Sequence, residues 1–197
     1  NMAHQELNDL QEGFEKRDEM IECISQNELL TKEEIEEIAK AIQIRTYKKG
    51  TILLREGEIA KDCYFNIKGC VRQYYIVDGE ERTTFFFIEN QGISSFTSSA
   101  KKVPSNHFLE CTEDTTLAVI PVEQELELYQ KYPNFESLSR SGMEVQLGDY
   151  QEMLASYLTS TPEERYLNLL ENRPELLNRV PQYQLASYLG VKPETLS

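Results

Sequence analysis

The chain lacks the residue groupings from which metal centres are built. It has only two histidines, His4 and His107, and no Cys-x-x-Cys pair among its four cysteines. Zinc and iron–sulfur sites need closely grouped ligands, so we expect no metal and no cofactor. A disulfide framework is not expected either, and we interpret the scattered cysteines as reduced thiols. These cysteines are Cys23, Cys63, Cys70 and Cys111.

Long apolar runs and an export signal are absent as well. No stretch approaches the ~18 apolar residues of a membrane helix, and no charged-then-apolar leader opens the chain. We therefore expect a cytoplasmic protein with no membrane partner. Paired carboxylates such as Glu33 and Glu34 lie in helical segments without a neighbouring histidine or nucleophile. We interpret them as solvated helix faces, and we expect no catalytic residues and no enzyme.

Negative charge is abundant and unevenly distributed. The formal net charge is −14 over 197 residues. Residues 160–197 contain four basic and five acidic residues, a net charge of −1, which leaves −13 for residues 1–159. This balance argues against nucleic-acid binding by the first part of the chain but leaves the last part near neutral. The length fits one ordinary domain and a small second one.

The last eighteen residues, 180–197, carry the most specific pattern. Leu185 and Leu189 are four apart on one helical face, and Gly190 follows where a helix end favours a left-handed residue. Pro193 suits the first turn of a new helix. This spacing is typical of a helix-turn-helix, whose second helix enters the DNA major groove. An ordinary helical hairpin is the alternative, and we expect the natural chain to continue past Ser197 with a basic stretch.

Before this motif the hydrophobic period changes twice. Residues 3 to about 44 are predicted to be helical, with a capping box at residues 31–34. Residues 45–121 have short β-rich runs separated by glycines, which indicates a small antiparallel barrel or roll. Asp78-Gly79 predicts a hairpin turn within it. A second capping box at residues 161–164 opens another helix. The predicted strands are Thr51–Leu54, Cys63–Lys68, Val71–Val77, Thr83–Ile88 and Leu117–Ile120.

A long helical segment between the β-rich part and the last helices has a heptad-like spacing. Its large side chains recur at intervals of 4, 3, 4 and 3 residues, opposite a polar face. We interpret this stripe as a dimer seam; a helix that simply covers one side of its own domain is the alternative. The predicted dimerisation residues are Met143, Leu147, Tyr150, Leu154 and Tyr157.

The chain resembles the cyclic-AMP receptor and fumarate–nitrate regulator (Crp/Fnr) family of bacterial transcription factors. The resemblance covers residues 29–197 and rests on the order of several short motifs. It implies an α+β fold with an effector-sensing antiparallel β-roll, a long dimerisation helix and a C-terminal winged helix-turn-helix. The motifs are Tyr47-Lys-Lys-Gly50, Leu54-Arg-Glu-Gly-Glu58, Tyr64-Phe-Asn-Ile-Lys-Gly69, Thr161-Pro-Glu-Glu-Arg-Tyr166 and the terminal residues 180–197.

This resemblance predicts three parts of the chain. Residues 1–130 hold N-terminal helices and the sensing roll, 131–160 the dimerisation helix, and 161–197 a DNA-binding domain incomplete at its C-terminus. The implied function is a homodimeric regulator that reads a palindromic operator in double-stranded DNA. RNA polymerase and an unknown small-molecule effector are the other implied partners. The alternative is a ligand-sensing or protein-interaction module without operator binding. The predicted DNA-binding residues are Gln182, Lys192, Glu194, Thr195 and Ser197.

The effector segment departs from the family pattern. Cyclic-nucleotide binders of the family carry a Gly-Glu pair and then an Arg followed by Ser or Thr, which clamps the cyclic phosphate. Residues 91–110 have no Gly-Glu pair, and Ser105-Asn106 stand where the Arg-Ser or Arg-Thr pair is expected. Serine cannot replace a bidentate guanidinium, so cyclic AMP is not the expected effector. A solvated polar loop is the alternative to an effector site here. The predicted effector-pocket residues are Arg82, Ser94, Ser95, Thr97, Ser98 and Ser105.

Overall fold

Eight antiparallel strands form the centre of the molecule. The computed structural model describes residues 2–5, 7, 8, 11, 15 and 29–196. Sheet A has the strand order β1-β8-β3-β6, and sheet B has the order β2-β7-β4-β5. We call residues 43–121, which contain both sheets, the roll. The strands are β1 (Gln43–Tyr47), β2 (Ile52–Leu54), β3 (Asp62–Lys68), β4 (Val71–Val77), β5 (Glu80–Phe87), β6 (Gly92–Ile93), β7 (Phe108–Cys111) and β8 (Thr115–Pro121).

The two sheets enclose the main apolar core. Phe85 and Phe87 project from β5 with their ring centroids 4.7 Å apart, and Leu117 and Val119 of β8 lie in the same cluster. Alternate residues of each strand point inward, so each sheet presents an apolar face to this core. β4 and β5 meet at the predicted Asp78-Gly79 turn. Both of its residues have positive φ, 53° and 79°, as a tight hairpin turn requires.

Helices surround the roll. The longest, α4, has 27 residues and a length of about 40 Å. A short 3₁₀ helix, Pro193–Leu196, ends the described chain. The α-helices are α1 (Lys32–Ala41), α2 (Phe96–Lys101), α3 (Val122–Lys131), α4 (Pro133–Thr159), α5 (Pro162–Asn172), α6 (Leu176–Arg179) and α7 (Gln182–Leu189). Among the described residues, no helix is both long and apolar enough to cross a bilayer.

The predicted helix ends agree with the structure. The Thr161 hydroxyl accepts a hydrogen bond from the Glu164 N–H at 3.2 Å, and the Glu164 carboxylate accepts one from the Thr161 N–H at 3.4 Å. These bonds form the predicted capping box at the start of α5. Gly190 ends α7 in the left-handed conformation, with φ 74° and ψ 31°. The chain therefore reverses after α7 where the glycine was expected to allow it.

One expectation about secondary structure was wrong, and strands β1, β6 and β7 were not predicted. Residues 43 and 44 do not continue the N-terminal helix but begin β1, because Gln43 pairs with Val119 and Ile44 with Ala118 of β8. Residues 108–111, which no prediction assigned, form β7 between β2 and β4. Tertiary pairing overrides weak local patterns at both places. Most of the predicted helical stretch before residue 29 lies outside the described residues.

Candidate functional site

A cavity of about 500 Å³ opens at one edge of the roll. Its walls are the loop between β2 and β3 (residues 57–61), the inward residues Leu54, Tyr64 and Leu109, and Ser95. The loop is tied down because the Gly57 N–H donates to the Ser105 carbonyl at 2.8 Å, and the Ser105 N–H donates to the Glu58 carbonyl at 2.7 Å. Ser105, in the segment predicted to bind an effector, therefore holds the loop that forms one wall of this cavity.

Buried His107 organises two of the predicted effector serines. Its Nε2 lies 2.7 Å from the Ser95 hydroxyl, and its Nδ1 lies 3.2 Å from Oδ1 of Asn106. The Ser105 hydroxyl donates to the His107 carbonyl and accepts from the His107 N–H. Burial lowers the pKa of His107, which favours the neutral ring. Sequence reasoning did not assign His107 a role, although it lies two residues from Ser105.

The other four predicted effector residues are dispersed. The Ser98 hydroxyl accepts from the Ala60 N–H and donates to the Val103 carbonyl, which is a structural role. Ser94 lines a second groove. Thr97 is exposed on α2, and Arg82 pairs with Glu80 on the hairpin, its side chain 56% exposed. The structure thus places Thr97 and Arg82 outside the roll cavity, and only Ser95 of the six lines it.

The thiols of the roll are not reactive groups. Burial raises the pKa of Cys70 and of Cys111 to about 11, and that of Cys63 to about 12. A thiol with such a pKa stays protonated at neutral pH, whereas the nucleophile is the thiolate. All three are free cysteines. Their chemistry matches that of small buried side chains rather than redox centres.

The predicted DNA-binding residues lie on an exposed surface. Gln182 begins α7, and Lys192, Glu194 and Thr195 occupy the turn and the 3₁₀ helix; all four are exposed. The opposite side of α7 is buried, with Leu185, Ala186 and Leu189 each 3% exposed or less. Ser197 lies outside the described residues. The motif therefore divides into an apolar docking side and a polar open side.

The docking side of the last three helices packs on the outer face of sheet B. We call this contact the domain seam; its buried residues are Cys70, Phe86, Leu169, Leu176, Val180, Leu185 and Leu189. Tyr188 of α7 meets Phe86 edge to face, with ring centroids 5.2 Å apart. The Ser187 hydroxyl accepts from the Thr83 N–H at 2.6 Å and donates to the Glu81 carbonyl at 3.1 Å.

Arg179 at the end of α6 is the main ionic contact of the domain seam. It donates to both carboxylate oxygens of Glu89, at 2.8 and 2.9 Å, to the Glu113 carboxylate and to the Gly69 carbonyl. Burial alone would raise the pKa of Glu89, but hydrogen bonds from Arg179 and from the Gly69 N–H lower it to about 2. The bidentate geometry suits a guanidinium and a carboxylate. No sequence pattern pointed to this contact.

The predicted dimerisation residues divide between two sides of α4. Met143, Leu147 and Leu154 are 40%, 56% and 59% exposed. Tyr150 instead packs on the roll core, its ring 4.7 Å from that of Phe85. Tyr157 is half exposed and lies under the Arg165 guanidinium, 4.4 Å from its ring centroid.

A further apolar residue extends the exposed side. Leu158, four residues after Leu154, is 73% exposed. Residues four apart lie on one helical face, so Leu158 continues the line of Leu147 and Leu154. We call Met143, Leu147, Leu154 and Leu158 the apolar stripe. Sequence reasoning missed Leu158, although its spacing from Leu154 was available as a signal.

Comparisons with known proteins identify the roll. Residues 44–132 match the cyclic nucleotide-binding domain family. None of the curated proteins compared matches the sequence significantly. The roll therefore has the fold of a cyclic nucleotide-binding domain, and the expected α+β class with antiparallel sheets and following helices is confirmed.

Solved structures of bacterial regulators have the same fold along most of the chain. The c-di-GMP responsive global regulator CLP from Xanthomonas campestris aligns with a TM-score of 0.67 and 20% identity, over 84% of this chain and 87% of that one. FixK2 from Bradyrhizobium japonicum gives 0.66 and 16%, over 79% and 80%. A CooA mutant from Carboxydothermus hydrogenoformans gives 0.62 and 16%, over 80% and 73%. The resemblance predicted from the sequence is confirmed as a likeness of fold to Crp/Fnr-type regulators.

Proposed function

We propose that the protein is a cytoplasmic transcriptional regulator of the Crp/Fnr type, which binds a two-fold operator as a homodimer. The observation that carries this proposal is the division of the terminal motif into two sides. Its apolar side is held on sheet B, while Gln182, Lys192, Glu194 and Thr195 lie together on the exposed side. A recognition surface of a helix-turn-helix needs this arrangement, because its polar residues must reach DNA.

The charge distribution supports the same surface. The chain carries −14 overall, but residues 160–197 carry only −1. Phosphates are repelled by the acidic sensing part, so approach through the last helices costs least. In this proposal Lys192 and Gln182 contact phosphate and position the protein. Glu194 accepts a hydrogen bond from a cytosine amino group and discriminates between base pairs.

The apolar stripe supports homodimerisation. Four large apolar side chains on one helical face are exposed in a single chain, and a second copy of α4 would remove them from water. Burying one leucine contributes about 1.5–3 kcal/mol. Tyr150 was predicted to lie in the dimer interface. Its ring packs on Phe85 instead, and this contact holds α4 against the roll.

The effector of the roll cavity is not cyclic AMP in this proposal. The Ser105 position, where the resemblance predicts a clamping arginine, is 4% exposed, and its hydroxyl is used by the His107 backbone. Among the described residues that line the cavity, the basic one is Lys61, and the acidic residues Glu58 and Asp62 line it as well. CLP, with the same fold, responds to c-di-GMP. A different small molecule is therefore the expected ligand, and RNA polymerase the expected partner when DNA is bound.

The decisive experiment is selection of binding sites from random duplex DNA with the full-length natural protein. We expect an enriched motif with half-sites about one helical turn apart. Glu194→Ala should relax preference at one base pair in each half-site, whereas Lys192→Ala should weaken all duplexes alike and reduce the salt dependence. Recovery of no two-fold motif would replace this proposal with a sensing module that does not bind operators. The acidity of residues 1–159 favours that second candidate.

The dimer is tested separately by light scattering. Leu147→Asp combined with Leu154→Asp should reduce the mass to that of one chain, because both substitutions place charge in the apolar stripe. Val145→Asp is a matched control, since Val145 is apolar and 69% exposed but lies on another face of α4. A double variant that keeps twice the monomer mass while folded would contradict the interface.

Calorimetry tests the effector. We expect no binding of cyclic AMP up to millimolar concentration, because no arginine is among the described residues that line the roll cavity. A dissociation constant in the low micromolar range would overturn this part of the proposal and would point to Lys61 as the anion-binding residue. Lys61→Ala would then separate the two interpretations.

A further inference from the structure

A second and larger cavity lies outside the roll core. This groove, of about 760 Å³, runs between sheet A and the helices α3 and α4. Its lining shares only Tyr64 with the roll cavity. Apolar side chains from both walls form most of its surface, among them Phe65 and Ile120 from the strands and Phe135 and Leu138 from α4. A volume of this size is typical of a small-molecule site.

One carboxylate lies among neutral polar groups in the wall of the groove. The Glu125 carboxylate lines it together with the Cys63 thiol and the Tyr129 hydroxyl. Ser94 and Ser139 add two further hydroxyls to the same lining. All five side chains line the groove. Strand β3, helices α3 and α4 and the segment that follows β6 therefore contribute polar groups to a mostly apolar surface.

The charge at this place is not balanced. No lysine, arginine or histidine is among the described residues that line the groove. The other acidic residue in the lining, Glu89, is paired with Arg179 in the domain seam. Glu125 thus supplies the uncompensated negative charge of the groove. Glu125 is half-buried. A partly desolvated carboxylate without a cationic partner costs free energy, and a cation placed beside it would reduce that cost.

We propose that the groove binds a small organic cation, an amine with an apolar body, whose ammonium group pairs with Glu125. The apolar walls receive the body, while the carboxylate and the hydroxyls of Ser94 and Ser139 receive the N–H donors. An anion would be repelled by Glu125, and a neutral apolar molecule would leave its charge unpaired. This site is separate from the roll cavity and does not depend on operator binding.

The groove also lies against α4, the helix that carries the proposed dimer interface. Gly142, Met143 and Gln146 of α4 line it. The Gln146 side-chain amide donates to the Gly92 carbonyl at 2.7 Å, and its oxygen accepts from the Gly92 N–H at 3.2 Å. Met143 belongs to the apolar stripe as well. An amine in the groove therefore contacts the same helix that carries the proposed dimer interface.

Isothermal titration calorimetry with three probes of equal body tests the proposal. The probes are octylammonium, octanol and octanoate, used below their aggregation concentrations. We expect octylammonium to bind at least tenfold more tightly than the other two. Burial raises the pKa of Glu125, so the affinity for octylammonium should increase as the pH rises and this carboxyl ionises.

Two variants and one control locate the site. Glu125→Gln should reduce octylammonium affinity at least tenfold and abolish its advantage over octanol, whereas Glu123→Gln, on the exposed side of α3, should change neither. Gly142→Leu should block all three probes by filling the groove. A Cβ at Gly142 would meet no atom within 4 Å, and leucine is a better helix former than glycine. Equal binding of octanoate, unchanged affinity in Glu125→Gln, or no binding of octylammonium would each overturn the proposal.

Discussion

Glu89 in the domain seam and Glu125 in the groove are the same kind of residue in opposite environments. Hydrogen bonds from Arg179 and the Gly69 N–H overcome the effect of burial and hold the pKa of Glu89 at about 2. Burial dominates at Glu125, whose neighbours in the groove are a thiol and a hydroxyl, and its pKa is raised. Burial favours the neutral form of both, so the presence of a guanidinium decides the difference.

The domain seam is a closed contact and the groove is an open surface, and the difference lies in how their charges are paired. In the domain seam both carboxylates meet a cation: Arg179 lies between Glu89 and Glu113, and the apolar residues around it are almost fully buried. Such a surface holds two parts of the chain together. The groove has the same mixture of apolar walls and carboxylate but lacks the cation. A surface of that kind is suited to receive one from outside.

The apolar part of the seam should show the largest effect when it is broken. Leu176 is fully buried among residues of the last helices and sheet B. Leu176→Ala should lower the free energy of unfolding by about 2–5 kcal/mol, because it removes buried methyl groups and leaves a cavity. Chemical denaturation measures this. Leu167→Ala is the control: that side chain is 55% exposed, and its loss should cost no more than ~0.5 kcal/mol.

Removing the guanidinium of the seam should have the next largest effect. Arg179→Met leaves Glu89 and Glu113 without their cation and should cost roughly 1–3 kcal/mol, a range that allows for partial solvent screening. Arg82→Met breaks the exposed pair with Glu80, where the side chains are 56% and 71% exposed, and should cost almost nothing. Denaturation in low and high salt compares them. Equal costs would show that the seam pair is as solvated as the hairpin pair.

The pH dependence of stability should have opposite signs at the two carboxylates. Glu89 has its pKa lowered from 4.5 to about 2, so its contribution is present above pH 4.5 and is lost as the pH falls toward 2. Glu89→Gln should therefore destabilise the protein at pH 7, by roughly 1–2 kcal/mol after screening. The difference from the natural protein should shrink on acidification. Thermal unfolding between pH 3 and 7 follows it.

Sequence signals found the features that a few neighbouring residues determine. The capping box at Thr161 and Glu164, the hairpin turn at Asp78-Gly79 and the left-handed Gly190 each depend on backbone needs within four residues. The order of short motifs along the chain then led to the correct fold. These signals are local, so they do not depend on how distant parts of the chain pack.

The seam and the groove were not predictable because their partners are far apart in sequence. Arg179 lies 90 residues from Glu89 and 66 from Glu113. Tyr150 and Leu147 are equivalent by spacing alone. Tyr150 faces the roll because Phe85 lies opposite it, and the sequence does not show the position of Phe85. Period and charge show that a face is apolar or acidic. They do not show which part of the same chain lies opposite.

The smallest expected effect is at Glu125, where the pH dependence of stability has the opposite sign to that at Glu89. Because its folded pKa is raised, this carboxyl stabilises the fold most below its ordinary pKa, and the contribution is lost as the pH rises through the folded pKa. Glu125→Gln keeps the shape and the hydrogen-bonding capacity but removes the charge. It should therefore raise stability at pH 8 by about 0.5 kcal/mol or less, with the gain vanishing on acidification. Octylammonium should stabilise the natural protein and leave Glu125→Gln unchanged. A loss of stability in Glu125→Gln at pH 8 would mean that the carboxylate already has a cationic partner, and the contrast with Glu89 would disappear.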